Sequence, residues 1–128
     1  MPLVTTLIIA VALAVVNLWL SIRTGQARQA AKVSVGDGDN PLLRARMRAH
    51  ANFIEYVPMA LILMALIDSS GSNSQLLWLL GIALVIGRIL HPFGMERPSP
   101  NPFRIGGILL TYLVTIALIV WAVVILVR

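Results

Sequence analysis

The sequence predicts an all-α integral membrane protein, folded as a bundle of four transmembrane helices. Of its 128 residues, 59% are hydrophobic and only 12% are charged, whereas a soluble domain carries about 25% charged residues. The mean hydropathy is +0.90. Long apolar runs fill most of the chain, so we expect a single membrane domain over residues 1–128 and no separate water-exposed domain.

The predicted spans cover residues 3–22, 41–67, 75–91 and 105–127. At a rise of about 1.5 Å per residue, the first span is long enough to cross a hydrocarbon core of about 30 Å. No basic segment precedes it and its positive charges follow it, so we expect an uncleaved span and not a signal peptide. Pro58 lies inside the second span and predicts a kink near residues 54–58.

The polar segments between the spans differ in composition. Residues 23–40 mix basic residues with glycine, aspartate and asparagine, a composition that predicts a mobile loop with a turn. Residues 68–74 are short and polar and predict a tight hairpin connection. Residues 92–104 contain Pro92, Pro98, Pro100 and Pro102, which predict a stiff extended connector.

The net charge of +5 predicts an orientation in the membrane. Every Lys and Arg except Arg128 lies in the first or third connection or at the adjoining helix ends, and in a chain with four spans these two connections share one side. The positive-inside rule therefore predicts cytoplasmic connections and external termini. Nucleic-acid binding is disfavoured because most basic residues lie inside or at the ends of spans. A metal site is also disfavoured, since the chain has no cysteine and only two histidines, on different spans.

An ionisable stripe follows one face of the second span. At about 100° per residue, Arg44, Arg48, Asn52 and Glu55 fall within an arc of about 80°, while Arg46, His50 and Phe53 point elsewhere. One interpretation is an intrahelical ladder that holds the bundle together. The other is a binding site, because guanidinium, amide and carboxylate groups complement a ligand with carboxylates and an ammonium. The residues alone leave both interpretations open.

Three basic residues lie at the ends of the third and fourth spans. Arg88 and His91 are three residues apart and therefore share a helix face. They either bind lipid phosphate at the membrane interface or add hydrogen-bond donors to the same cavity as the stripe. Arg104 opens the fourth span and is either a membrane-end anchor or a site residue.

Separated motifs resemble those of the MAPEG family, the membrane-associated proteins in eicosanoid and glutathione metabolism. The second span contains Arg48-Ala49-His50-Ala51-Asn52-Phe53-Ile54-Glu55-Tyr56-Val57-Pro58, which is similar to the family pattern Arg-Ala-x-x-Asn-x-x-Glu-x-x-Pro. Arg88-Ile89-Leu90-His91 resembles the Arg-x-x-His of the family's third helix, and Arg104 follows at the family's distance. Arg28 resembles the arginine that closes the first loop.

This resemblance implies a left-handed four-helix bundle that assembles as a homotrimer in a bacterial inner membrane. It also implies that glutathione is bound between neighbouring subunits, near the cytoplasmic face. The implied glutathione-binding residues are Arg28, Arg48, His50, Asn52, Glu55, Tyr56, Arg88, His91 and Arg104. Arg104 is the implied catalytic residue, because the family places it near the thiol.

One departure from the family pattern bears on activity. Many members have a tyrosine four residues after the histidine, placed to hydrogen-bond the thiolate, whereas this chain has Met95, which cannot donate that bond. Some bacterial members share this tyrosine-less pattern.

Three functions follow as hypotheses. The first is a glutathione transferase or peroxidase that acts on lipophilic electrophiles or hydroperoxides arriving from membrane lipid. The second is a non-catalytic MAPEG-like binding or scaffold protein. The third, a small four-helix transporter, is disfavoured because the first span carries no charge.

Overall fold

The computed structural model describes residues 3–72 and 74–128, which fold into four α-helices with no strand in these ranges. Helix α1 spans Val4–Ala31, α2 spans Pro41–Ser69, α3 spans Ser74–Met95 and α4 spans Pro102–Leu126. Each is long and apolar enough to cross a membrane. The predicted all-α membrane bundle is therefore confirmed.

Helix α1 is longer than the predicted span. It continues past Ile22 to Ala31, so the prediction that residues 23–40 form a loop is wrong for residues 23–31. Alanine, glutamine and arginine dominate this segment, and all three favour helix. Ala27 is also buried, with 5% of its surface exposed. Lys32 caps the helix end, and its left-handed φ of 55° turns the chain into the first connection.

The third connection is shorter than predicted. Helix α3 passes through Pro92 to Met95 and α4 begins at Pro102, so the extended connector covers residues 96–101 and not 92–104. Pro92 is fully buried, and packing outweighs the single backbone hydrogen bond that a proline removes. Asn101 joins the two helix ends, because its Oδ1 accepts from the Arg104 backbone N–H at 2.9 Å and its Nδ2 donates to the Gly94 carbonyl at 2.8 Å.

Helices α2 and α3 form the central pair of the bundle. Each contacts α1 and α4, whereas α1 and α4 do not contact each other in the part of the chain that is described. The core between them is apolar and includes Leu13, Phe53, Met64, Leu84 and Leu118. Helix α2 continues through Pro58 without interruption, and a kink at that position stays a prediction.

Charged residues tie together one end of the bundle. The Glu96 carboxylate lies 2.6 Å from the guanidinium nitrogens of both Arg23 and Arg46. These residues come from α1, α2 and the third connection, so the first and third connections lie at the same end. At the opposite end, Asp68 accepts from the backbone N–H of Thr6 at 2.9 Å and so satisfies a donor in the first turn of α1.

Glycines allow α3 and α4 to approach closely. A Cβ atom on Gly107 would lie 2.7 Å from the Cβ of His91 and 2.8 Å from the carbonyl oxygen of Gly87. A Cβ on Gly94 would collide with the backbone of Arg104. Small residues at such crossings bring helix backbones together in membrane bundles. The glycines therefore let the backbones of α3 and α4 come close together beside His91 and Arg104.

We expect Gly107→Ala to separate α3 from α4 and to destabilise the protein by about 1–3 kcal/mol, the usual cost of overpacking. Gly106→Ala is the matched control, because a Cβ at Gly106 meets nothing within 4 Å. Thermal unfolding in detergent, followed by circular dichroism, measures both variants. Equal melting temperatures for Gly107→Ala and wild type would contradict the close packing.

Candidate functional site

A cavity of about 240 Å³ lies between α2, α3 and α4. We call it the central cavity, and its lining residues are Arg48, Asn52, His91, Met95, Arg104, Ile108 and Tyr112. The predicted site residues Arg48, Asn52, His91 and Arg104 therefore meet here, although they are distant in sequence. The lining offers two guanidinium groups and no carboxylate. Such a wall favours an anionic ligand.

The stripe on α2 is divided between different partners. Arg48 lies 3.6 Å from Glu55, and both side chains are at least half exposed, so this pair contributes little stability by itself. Arg44 instead binds Asp37 and Asp39 of the first connection. The hydrogen bond from Arg44 lowers the pKa of the Asp37 carboxyl below its usual value. Arg44 thus anchors the first connection, and Arg48 remains available to the central cavity.

Arg88 is completely buried behind the wall of the central cavity. Its Nη2 donates to Asn52 Oδ1 at 2.9 Å and its Nη1 donates to Thr111 Oγ1 at 3.3 Å, while Nε has no partner. The guanidinium also lies 5.7 Å from the centre of the Phe53 ring. No carboxylate pairs with Arg88 among the residues the structure describes. Its positive charge is therefore uncompensated and favours an anion in the adjacent cavity.

His91 lies at the α3 wall of the central cavity. Only 3% of its surface is exposed, and its buried Nδ1 has no hydrogen-bond partner. Gly107 packs against the Cα and Cβ of His91, so α4 lies close to this residue. His91 therefore contributes a buried ring nitrogen whose hydrogen bonding is unsatisfied within the described residues.

A pair of tyrosines closes the deeper side of the site. The hydroxyl oxygens of Tyr56 and Tyr112 are 3.1 Å apart, and the rings meet edge to face at a centroid distance of 5.4 Å. Tyr112 lines the central cavity, whereas Tyr56 is not part of its lining and contacts Tyr112. The sequence interpretation included Tyr56 but missed Tyr112 and Thr111. The sequence did contain a signal for them, since Thr111 and Tyr112 are adjacent hydroxyl-bearing residues within a largely apolar span. Polar groups at membrane depth need partners, so such a pair indicates contacts inside the bundle.

The other predicted residues lie on the far side of α2. A second cavity of about 510 Å³, here called the lateral cavity, is lined by Thr24, Arg28, Met47, His50, Ala51, Ile54 and Glu55. His50 Nε2 lies 2.8 Å from Asn17 Oδ1 of α1. One protomer therefore does not bring all the predicted site residues together. They divide between the central cavity, its supporting layer and the lateral cavity.

Arg28 holds the first connection. Its guanidinium donates to the carbonyls of Gly36 at 2.7 Å and Val33 at 3.4 Å, and it lies 3.6 Å from the Met47 sulfur. This geometry agrees with an arginine that closes the first loop.

The described residues contain no group of three or more His, Asp or Glu that could hold a metal ion.

We expect Thr111→Val to destabilise the fold by about 1–3 kcal/mol, because it removes an acceptor from a buried guanidinium. Thr115→Val is the matched control, since the Thr115 hydroxyl bonds only the backbone carbonyl of Thr111 in its own helix and its loss costs little. Unfolding of both variants in detergent provides the measurement. A Thr111→Val protein as stable as the control would show that Arg88 does not depend on this bond.

Comparisons with known proteins agree with this architecture. The model of the MAPEG family matches residues 6–124 of the chain. The Inner membrane protein YecN of Escherichia coli K12 is 31% identical over 88 residues, which cover 69% of this chain and 67% of YecN. The protein of the same name from Escherichia coli O6:H1 matches to the same extent. No solved structure matches the chain. With four spans and the family match over almost its whole length, the chain belongs to the MAPEG family.

Proposed function

We propose that the protein binds glutathione in the central cavity and uses it as a membrane-bound transferase or peroxidase. The observation that carries this proposal is the cationic wall of Arg48 and Arg104 with the buried charge of Arg88 behind it. At neutral pH glutathione carries two carboxylates, one ammonium and a thiol. Arginine forms forked, charge-assisted hydrogen bonds with carboxylates, so this wall suits the anionic groups of the tripeptide.

The side chains around the cavity have separable tasks in this proposal. Asn52 Oδ1 is occupied by Arg88, which orients the Asn52 amide so that its NH₂ group donates to the ligand. Arg104 faces the thiol, where its positive charge favours the thiolate, the reactive nucleophile. The thiolate then bonds to an electrophilic carbon, with departure of the leaving group where there is one, or attacks the O–O bond of a hydroperoxide. In the second case the bond breaks to release the alcohol, and a second glutathione reduces the resulting sulfenic acid to give glutathione disulfide and water.

The size of the central cavity supports an assembly in which subunits share the ligand. A volume of about 240 Å³ is below the lower limit of about 300 Å³ for typical ligand pockets. The lateral cavity adds Arg28 and the Glu55 carboxylate, which complements the glutathione ammonium. We infer a homotrimer in which the lateral cavity of one subunit faces the central cavity of its neighbour.

The proposed cellular location follows from the four spans and from the similarity to YecN. YecN is an inner membrane protein by name, and we propose the same bacterial membrane for this chain, with the basic connections in the cytoplasm. The outer faces are apolar, as Val15, Leu79 and Leu113 illustrate. A lipophilic co-substrate therefore reaches the site through the bilayer.

A non-catalytic binding or scaffold protein is the second candidate. Met95 favours it, because this side chain lies in the wall of the central cavity and cannot donate a hydrogen bond to a thiolate. Binding without turnover is the expected behaviour of such a protein.

We expect the purified protein to bind glutathione, and Arg104→Ala to weaken binding by about tenfold or more, as loss of a charged hydrogen bond implies. Turnover of an aryl halide and of an organic hydroperoxide should fall further. Arg97→Ala is the control, because Arg97 carries the same charge nearby but lines neither cavity. Binding without turnover would select the scaffold, and no glutathione binding would contradict both candidates.

We expect three chains per particle by native mass spectrometry in a mild detergent. Glu55→Gln should weaken glutathione binding by about three- to tenfold through loss of a charge-assisted contact with the ammonium. Asp39→Asn serves as the control, because Asp39 is an exposed acid that lines neither cavity, and Arg44 keeps its ion pair with Asp37 in this variant. A monomeric particle, or unchanged binding by Glu55→Gln, would overturn the shared site.

A further inference from the structure

A tyrosine hydroxyl lines the central cavity although the third-helix position carries Met95. Tyr112 comes from α4 and follows Arg104 by about two helical turns, with Ile108 between them on the same wall. Helical side chains lean toward the helix N-terminus, so the phenol of Tyr112 leans toward the end of α4 that holds Arg104. The cavity therefore contains a hydrogen-bond donor and a guanidinium on one helix.

The hydroxyl pair leaves one proton for the cavity. Tyr56 and Tyr112 are joined by a single O–H···O contact of 3.1 Å, which uses one of their two hydroxyl protons. When Tyr56 is the donor, the Tyr112 proton is free, and Tyr112 is the member of the pair that lines the cavity. Accepting a hydrogen bond also makes a hydroxyl a better donor.

We propose that Tyr112 donates the hydrogen bond that holds the glutathione thiolate, and that Tyr56 is a positioning residue for it. This inference rests on the proposed function. In the step concerned, the thiol S–H bond ionises, the proton passes to water, and the sulfur anion accepts the Tyr112 O–H while facing Arg104. The phenol O–H of tyrosine is a hydrogen-bond donor, which the Met95 thioether is not. In this proposal Tyr112 contacts the reacting sulfur atom directly.

The test compares Tyr112→Phe with Tyr56→Phe in the full-length protein in detergent. Each variant breaks the same hydroxyl pair, but only Tyr112→Phe removes the donor that lines the cavity. Glutathione affinity is measured by equilibrium dialysis, and the thiolate is measured by its ultraviolet difference absorbance as a function of pH. Circular dichroism verifies that both variants keep the helical fold.

We expect Tyr112→Phe to bind glutathione within about threefold of wild type and to hold about tenfold less thiolate at pH 7, equivalent to about 1.4 kcal/mol. Tyr56→Phe should lower the thiolate signal by no more than about threefold. Equal losses in the two variants, an unchanged thiolate signal in Tyr112→Phe, or loss of binding in that variant would overturn the role of Tyr112. If the wild type binds no glutathione, the proposed function fails as well, whereas an unchanged Tyr112→Phe signal leaves that function standing.

Discussion

The organisation of the site depends on one buried and unpaired cation. Arg88 has none of its surface exposed and reaches two neutral acceptors, Asn52 on α2 and Thr111 on α4. A buried charge with no counter-ion is costly unless its hydrogen bonds are satisfied, so these helices are held in one register around α3. The glycine contacts between α3 and α4 supply the close spacing that this register needs. Packing and charge therefore specify the same arrangement.

That arrangement distributes the charges of the site unequally between two cavities. The central cavity carries arginines and no carboxylate in its described lining, while the lateral cavity combines Arg28 with Glu55. The ion pair between Arg48 and Glu55 connects the two sides of α2. A ligand with an ammonium beside one carboxylate and a second carboxylate at its other end, as in glutathione, is complementary to both cavities together. This distribution explains why the homotrimer and the glutathione site form a single proposal.

Composition and helical periodicity were enough to predict the four helices, but the face of α2 was predicted only in part: Arg48 and Asn52 line the central cavity, whereas Glu55 lines the lateral cavity together with His50. The ends of α1 and α3 were not predicted correctly, because the burial of Ala27 and Pro92 depends on tertiary packing.

The family resemblance implied that Arg88 contacts the ligand, whereas the structure places Arg88 behind Asn52. How deeply a side chain is buried in a bundle depends on which helices pack against it, and helical periodicity does not give that packing. Tyr112 was missed for a related reason, since its partner Tyr56 lies on another helix.

The energetics of Arg88 favour a functional explanation over a purely structural one. A buried charge without a counter-ion is costly to a fold, so stability alone does not account for a guanidinium at this position. The Nε of Arg88 and the Nδ1 of His91 lack partners in the protomer, and unsatisfied buried polar atoms add to that cost. An anion in the central cavity offsets it, because the field of a buried cation is little screened at that distance. Under the proposed function the same field also favours a thiolate over a thiol, so the buried cation that is costly to the fold is the one that suits the proposed thiol chemistry.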